Sequence, residues 1–261
     1  MKLAMRVVKL SMGIVCCLAG LALANACLAA GDDIEIVKAE GTVATSDASG
    51  KQEQAVATKS VLPPKNILTT GQNGRAVVRM GSSGYVVLEK NSKIEIDRSK
   101  DNAGFLRQLT GMIYYAINTI NRDQKRLEVR TPTATIGVRG TRFLIAEMPD
   151  RREIDMRKGL VSVTSPEGEF EIHRETELDE FEAYKQQAKD AIAKQKKEFD
   201  DYKAKSEREF IEYKREFSLA ANRMASFDGK QVEDRPLSAE ALKDLQSVES
   251  YADKWLKEVR D

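Results

Sequence analysis

The sequence is poor in the residues on which most catalytic and metal sites depend. Its 261 residues include three cysteines and one histidine, and Cys16, Cys17 and Cys27 all lie near the amino terminus. Beyond them His173 stands alone, which is too little for a nucleophile with an oriented base or for a zinc site with three or four ligands. We therefore expect no catalytic residue, no metal site and no cofactor. Stability should come from packing, since no disulfide is expected in the main part of the chain.

An excess of charge of either sign is also missing. Lysine and arginine number 42 against 41 aspartates and glutamates, which gives a formal net charge of +1. Because general binding to nucleic acid requires a strongly basic protein, we expect no nucleic-acid partner.

Residues 1–30 have the layout of a secretory signal peptide. Lys2, Arg6 and Lys9 precede an apolar run at residues 10–24, and small residues suited to cleavage follow. The apolar run is shorter than the ~20 residues that a membrane-spanning helix needs, so we expect cleavage and a periplasmic protein. A membrane-anchored form is the alternative. A lipoprotein attached through Cys27 is disfavoured, because the large aliphatic residue expected three positions earlier is missing.

Residues 31–173 alternate between apolar and polar side chains over short stretches that are separated by turn residues. This pattern predicts an all-β module, and a β-solenoid, a sandwich of short strands or a barrel would each produce it. His173 falls at the expected end of this module, where a structural role at the start of a helix is the simplest interpretation.

Residues 174–227 contain three near copies of a hexamer that begins with Glu-Phe and ends with Tyr-Lys. The copies are separated by 18 and 11 residues, close to five and three helical turns, which predicts a long, charged, coiled-coil-like helix with an aromatic face. Residues 228–237 are interpreted as a linker and residues 238–261 as a shorter helix that begins after Ser238. The overall prediction is an α+β chain whose helices provide a surface for self-association. The expected interface residues are Phe181, Tyr184, Phe199, Tyr202, Phe210, Tyr213 and Phe217.

A basic stretch lies between residues 107 and 142, where seven bases face only two acids. Such a local excess of positive charge could hold an anionic ligand or the acidic surface of a partner. The candidate contact residues are Arg126, Arg130, Arg139 and Arg142. The simpler alternative is that these side chains occupy strand positions that face water.

The string TPTATIGVRGTRF at residues 131–143 resembles the signature T-P-x-A-x-x-x-V-R-G-T-x-F of the FecR-like domain. Three further steps resemble the same family: residues 67–76 (ILTTGQNGRA), residues 109–113 (LTGMI) and residues 157–163 (RKGLVSV). The resemblance implies an exported β-rich module. In the iron-transport regulators that gave the family its name, this module relays a signal from an outer-membrane receptor. Those regulators begin with a cytoplasmic anti-sigma segment, whereas we expect a signal peptide here, so iron signalling is not part of our prediction.

These observations predict an exported, non-enzymatic protein that binds or scaffolds another component of the cell envelope, either a protein or an anionic glycan or ligand. The first alternative is an envelope signalling relay that senses an anionic ligand or an outer-membrane receptor. A hydrolase acting on envelope polysaccharide is the weakest, because its carboxylate pair would be the only support.

Overall fold

The computed structural model describes residues 34–51, 53–97, 105–118, 127–175 and 209–258, which form 19 strands and one α-helix. The first nine strands are β1 (Ile34–Glu40), β2 (Val43–Ser46), β3 (Gln54–Ala55), β4 (Ser60–Val61), β5 (Ile67–Thr70), β6 (Arg75–Met80), β7 (Gly84–Leu88), β8 (Lys93–Asp97) and β9 (Phe105–Ile117). The others are β10 (Leu127–Arg130), β11 (Thr135–Val138), β12 (Arg142–Met148), β13 (Arg151–Lys158), β14 (Leu160–Thr164), β15 (Phe170–Glu175), β16 (Glu209–Lys214), β17 (Glu216–Ala220), β18 (Arg223–Asp228) and β19 (Gln231–Pro236). The helix α1 is Ala239–Glu258.

The strands form two sheets. Sheet A has the order β4-β1-β6-β7-β9-β12-β13-β18-β19-β15-β16, and sheet B has the order β3-β2-β5-β8-β9-β10-β11-β14-β17. The long strand β9 belongs to both sheets, because its first half pairs in sheet B and its second half in sheet A. The pairings are antiparallel except β9 with β10 and β15 with β19.

The main core lies between the two sheets and follows the two-residue period of the strands. On β6, for example, Ala76, Val78 and Met80 are fully buried in this core, while Val77 points to the opposite face of sheet A. Val77 is also fully buried. Sheet A is therefore covered on both faces in this region, which is why β7, the second half of β9 and the middle of β12 are continuous apolar runs rather than alternating ones.

Helix α1 covers the outer face of sheet A. Its apolar positions Leu245, Val248 and Ala252 are at most 3% exposed and pack on that face, which includes Val77 and Leu144. The helix begins where the sequence predicted, since the backbone N–H of Ala241 donates to Ser238 Oγ at 3.1 Å in an N-terminal cap. No helix in the described part of the chain is long and apolar enough to cross a membrane.

Hydrogen bonds also attach α1 to three strands of sheet A. Tyr114 Oη on β9 donates to Glu249 Oε1 at 2.8 Å, and Tyr251 Oη on α1 donates to Glu40 Oε2 on β1 at 2.9 Å. Arg151 on β13 donates to Asp244 Oδ2 at 3.3 Å. Because these contacts flank the apolar face, they fix the direction in which the helix crosses the sheet.

The chain passes from one sheet to the other at glycine-containing steps. Gly74 precedes β6, and a Cβ there would lie 2.1 Å from the carbonyl oxygen of Thr42. Gly111 is the bend within β9, Gly140 joins β11 to β12, and Gly159 joins β13 to β14, with φ angles of 92°, 66° and 88°. Each of these steps therefore uses a close approach or a left-handed backbone that favours glycine.

The predicted α+β arrangement with a long helix is wrong. Within residues 174–227, the structure describes 174–175 and 209–227, and these residues lie in β15 to β18 or in the turns between them. The alternating burial of β17 gives the physical reason, because Phe217 and Leu219 point into the core between Glu216, Ser218 and Ala220, which are exposed. Residues in the predicted linker form β19, and His173 lies within β15 rather than at the start of a helix.

The aromatic residues expected on one helical face are therefore distributed differently. Phe210 and Tyr213 lie in β16, where Tyr213 is 64% exposed. Phe217 is buried beside Phe170, with ring centroids 5.8 Å apart. The remaining four, Phe181, Tyr184, Phe199 and Tyr202, lie outside the described residues.

The glycine at the β13–β14 step gives the first prediction. A Cβ at Gly159 would lie 2.9 Å from both the carbonyl oxygen of Gly140 and Thr141 Cγ2, whereas one at Gly50, where φ is also positive, would meet nothing within 4 Å. We expect Gly159→Ala to lower the free energy of unfolding by about 1–3 kcal/mol more than the control Gly50→Ala. Urea denaturation of both variants measures this, and equal losses would contradict the steric argument.

The second prediction concerns Asp155, a fully buried residue on β13. Burial and the neighbouring carboxylates of Glu153 and Asp244 raise its pKa to about 7, against the opposing charges of Arg151 and Arg235. The folded protein therefore keeps a proton that the unfolded chain has released, so stability falls as the pH rises from about 4 to about 7.

Asp155→Asn removes this dependence, because the amide does not titrate. Relative to wild type, we expect the variant to gain about 2–3 kcal/mol of unfolding free energy between pH 5 and pH 8. Urea titrations of both proteins at the two pH values measure the difference. A constant offset between the proteins would show that Asp155 is not protonated in the folded state.

Candidate functional site

The string TPTATIGVRGTRF forms a turn, a strand of sheet B, a corner, and the beginning of a strand of sheet A. Strand β11 runs from the turn to the corner, and β12 returns from the corner on the other sheet. Ile136 and Val138 on β11 and Phe143 on β12 are at most 2% exposed and belong to the core between the sheets. The string therefore joins the two layers of the sandwich, and its polar residues are left at the two ends.

The turn before β11 is held by Thr131. Its hydroxyl accepts hydrogen bonds from the backbone N–H groups of Thr133 and Ala134 at 3.1 and 3.0 Å. The Thr131 N–H donates in turn to the carbonyl oxygen of Ala134 at 2.9 Å. Pro132, which has no N–H to satisfy, fits the tip of this turn.

The corner after β11 places Gly140 against the neighbouring step at Gly159. The two backbones approach so closely that a Cβ on Gly159 would meet the Gly140 carbonyl oxygen. Arg139 precedes this contact, while Lys158 precedes Gly159. The packing of one glycine step on the other therefore brings two bases from different hairpins to the same end of the sandwich.

Arg139, Arg142 and Lys158 together form what we name the basic corner. All three are exposed, and Arg142 on β12 is the direct cross-strand partner of Lys158 on β13. Within the part of the chain that the structure describes, none of the three makes a side-chain ion pair. Two like charges opposite each other on neighbouring strands repel, so this arrangement costs some stability in the isolated protein.

The second half of α1 borders the basic corner. Burial raises the pKa values of Tyr85 and Tyr114, and the positive charge of Arg142 opposes this effect at both phenols. Glu249 and Asp253 of α1 add negative charge on the same side. The Glu249 carboxylate is already engaged, however, by Tyr114 and by Arg157, whose Nε lies 3.6 Å from Glu249 Oε2.

The other two predicted contact residues do not join this corner. Arg130 ends β10 at the opposite end of the sandwich, where its Nη2 lies 2.8 Å from Glu128 Oε2 and its guanidinium lies 4.7 Å from the centre of the Phe105 ring. Arg126 lies outside the described residues. The structure therefore brings together two of the four predicted arginines.

Sequence reasoning missed Lys158, although a signal for it was present. It directly precedes the glycine of the R-K-G-L-V-S-V step, and the pairing of that step with T-P-T-A-T-I-G-V-R-G-T-R-F places its base beside those of the signature. Only the three-dimensional pairing of the hairpins shows that the two motifs share one end.

Buried acids elsewhere have structural roles. Asp234, at 2% exposure, accepts hydrogen bonds from Arg174 Nε at 2.9 Å and Arg223 Nε at 2.6 Å, which links β15, β18 and β19. Among the described residues, no cluster of three or more histidine, cysteine or acidic side chains could hold a metal ion.

Comparison with known proteins agrees with the signature. Residues 66–162 match the family model described as FecR protein. Two crystal structures described as a candidate anti-sigma factor from Parabacteroides distasonis ATCC 8503 are also similar, each with 12% sequence identity and a TM-score of 0.44. Each alignment covers 68% of this chain and 62% of the other, so this chain spans less than two thirds of that protein's length. No curated protein matches the chain in sequence.

The family match begins just before β5 and ends within β14. It includes the glycine steps at Gly74, Gly111, Gly140 and Gly159, and it includes all three residues of the basic corner. Residues 66–162 of this chain are therefore similar to FecR proteins over both the signature string and the basic corner.

Proposed function

We propose that this protein is an exported, non-enzymatic FecR-domain protein that binds an acidic surface of another cell-envelope protein through the basic corner. The FecR domain supports a signalling or regulatory role at the envelope. Export to the periplasm rests on the signal-peptide pattern of residues 1–30.

The observation that carries the proposal is the set of three exposed bases without side-chain ion pairs in the described part of the chain. The other strands show the contrast, because their arginines usually have an acidic neighbour. Arg75 pairs with Glu89 and Arg79 pairs with Glu35. Unpaired bases that repel one another at a rigid corner are well suited to a partner that supplies the missing negative charge.

An exposed apolar side chain lies beside these charges. Leu160, the first residue of β14, is 56% exposed and follows Lys158 by two positions. A docking surface that combines a few bases with one apolar side chain is typical of protein recognition, in which charge steers the encounter and apolar contact slows dissociation.

The same corner also supports the alternative role of a relay that senses a small anionic ligand. The two roles differ in what the bases contact. A small anion engages the guanidinium and ammonium groups alone, whereas a protein partner also covers Leu160. Leu160→Ser should therefore weaken binding to a protein partner and leave binding of a small anion nearly unchanged.

The third prediction tests the basic corner in intact cells. In the double variant Arg139→Glu and Arg142→Glu, we expect the amount of crosslinked partner to fall at least tenfold, because two attractive charges become repulsive. The matched control carries Lys51→Glu and Lys243→Glu, which make the same change in net charge at exposed positions elsewhere. The measurement is quantitative crosslinking followed by mass spectrometry.

Thermal melting of both purified variants completes this experiment. The double variant should melt at or above the wild-type temperature, since a repulsive cross-strand pair is removed. Equal losses of crosslinked partner in the double variant and its control would show that net charge, and not the basic corner, governs binding.

A further inference from the structure

A cleft of about 650 Å³ opens at the end of the sandwich opposite the basic corner. Strands β11 and β12 connect the two places, because Thr133 before β11 and Met148 at the end of β12 both line the cleft. Strand β9 contributes Leu109 and Thr110, and the remaining walls come from the β12–β13, β14–β15 and β18–β19 turns and the beginnings of β13 and β15. The cleft is therefore built by turns on a rigid double layer, which is a common setting for a binding site.

One part of the cleft wall is apolar and stiff, while hydroxyl and charged side chains make up much of the rest. Three of the chain's six prolines, Pro132, Pro149 and Pro166, line the cleft together with Met148 and Phe170. Phe170 is 1% exposed and anchored in the core. Because proline fixes φ, these turns lose little conformational freedom on binding, and the cleft is preformed for an apolar group.

A hydrogen bond and an ion pair, linked through Glu147, place an arginine in this cleft. The Thr133 hydroxyl lies 3.2 and 3.1 Å from the two carboxylate oxygens of Glu147, whose side chain is 8% exposed. Glu147 Oε1 lies 3.3 Å from Arg152 Nε. The arginine is thus held through Nε while its terminal N–H groups remain available, and its side chain is 43% exposed.

A second base, Lys230, lines the cleft from the β18–β19 turn. It is exposed and makes no side-chain ion pair with a described residue. Glu167 is the other charged residue of the lining, so two bases face two acids and the cleft is neutral as a whole. A ligand with several negative charges would be repelled by the carboxylates of Glu147 and Glu167. A ligand with a single carboxylate can contact the two bases without contacting either acid.

We propose that this cleft binds the carboxyl terminus of a peptide whose last side chain is apolar. The planar carboxylate contacts the terminal N–H groups of Arg152, which match it in geometry, and the ammonium group of Lys230 adds a second positive charge. The last side chain packs against Met148 and the three prolines. Thr133 and Glu147 act as positioning residues, because they hold the arginine in place.

The test uses a labelled hexapeptide, Ser-Gly-Ser-Gly-Ala-Phe, as the free acid and as the carboxyl-terminal amide, with binding followed by fluorescence anisotropy. The acid should bind at least tenfold more tightly than the amide, since amidation removes the charge. Arg152→Gln should weaken binding of the acid about tenfold or more and should bring the two peptides close to equal affinity. A peptide that ends in serine should bind more weakly than the one that ends in phenylalanine.

Lys51→Gln, an exposed base outside both the cleft and the basic corner, is the matched control and should leave these affinities unchanged. Lys230→Gln provides a second variant at an exposed turn position, should Arg152→Gln fold poorly. Equal binding of acid and amide, displacement of the peptide by an equal concentration of inorganic phosphate, or absence of peptide binding would each overturn the proposal. None of these outcomes concerns the basic corner, so they leave its proposed partner untouched.

Discussion

The fold depends on a chain that moves repeatedly between two stacked sheets. Each passage must turn the backbone through the thickness of the sandwich while the side chains on either side remain in the core. At Gly140 and Gly159 the φ angles are 66° and 88°, and at Gly74 the Thr42 carbonyl oxygen occupies the space of a Cβ. These requirements explain why each step of the family resemblance contains a glycine.

The bend at Gly111 shows how much polar structure one such passage requires. Inside the sandwich, Gln108 is fully buried, and its Nε2 donates to the carbonyl oxygens of Gly111 and Ile145 at 2.9 and 3.1 Å. Its Oε1 accepts from Tyr115 Oη at 2.8 Å. Because a buried amide without partners would be costly, this residue stabilises the bend only in the register that satisfies all of its bonds. Gln108 therefore fixes the position at which β9 passes from sheet B to sheet A.

Much of the β-structure could be predicted from the sequence, because the alternation and turn residues of the FecR segment are local signals. The continuous apolar runs in β7, in the second half of β9 and in the middle of β12 also indicate a covering element, since a strand that is apolar on both faces must be covered on each. The covering element is α1, which is distant from these strands in sequence. No feature of the strand sequences identifies α1 as the element that packs on them. The predicted start at Ser238 came from a local cap, whereas its packing surface came only from the structure.

The error at residues 209–228 has an identifiable cause. The hexamer at Glu209–Lys214 resembles two earlier copies, and the spacing of the three copies favoured a helix for all of them. Against this, Phe217 and Leu219 already alternate with polar or small residues, and Asp228-Gly229 between two apolar segments is a strong hairpin signal. The similarity of the three hexamers therefore favoured the wrong structure. The two-residue period at Phe217 and Leu219 and the turn signal at Asp228-Gly229 indicate the correct one.

The polar residues of the signature fall at the two ends of β11 and β12 because the residues between them are committed to the core. Thr133 and the Glu147–Arg152 pair lie at one end, while Arg139 and Arg142 lie at the other. A substitution of the exposed Arg139 or Arg142 can change charge without entering the space between the sheets, so its cost to the fold is small. A string that resembles a single active site is thus one structural element that exposes two separate surfaces, and sequence proximity cannot show that separation.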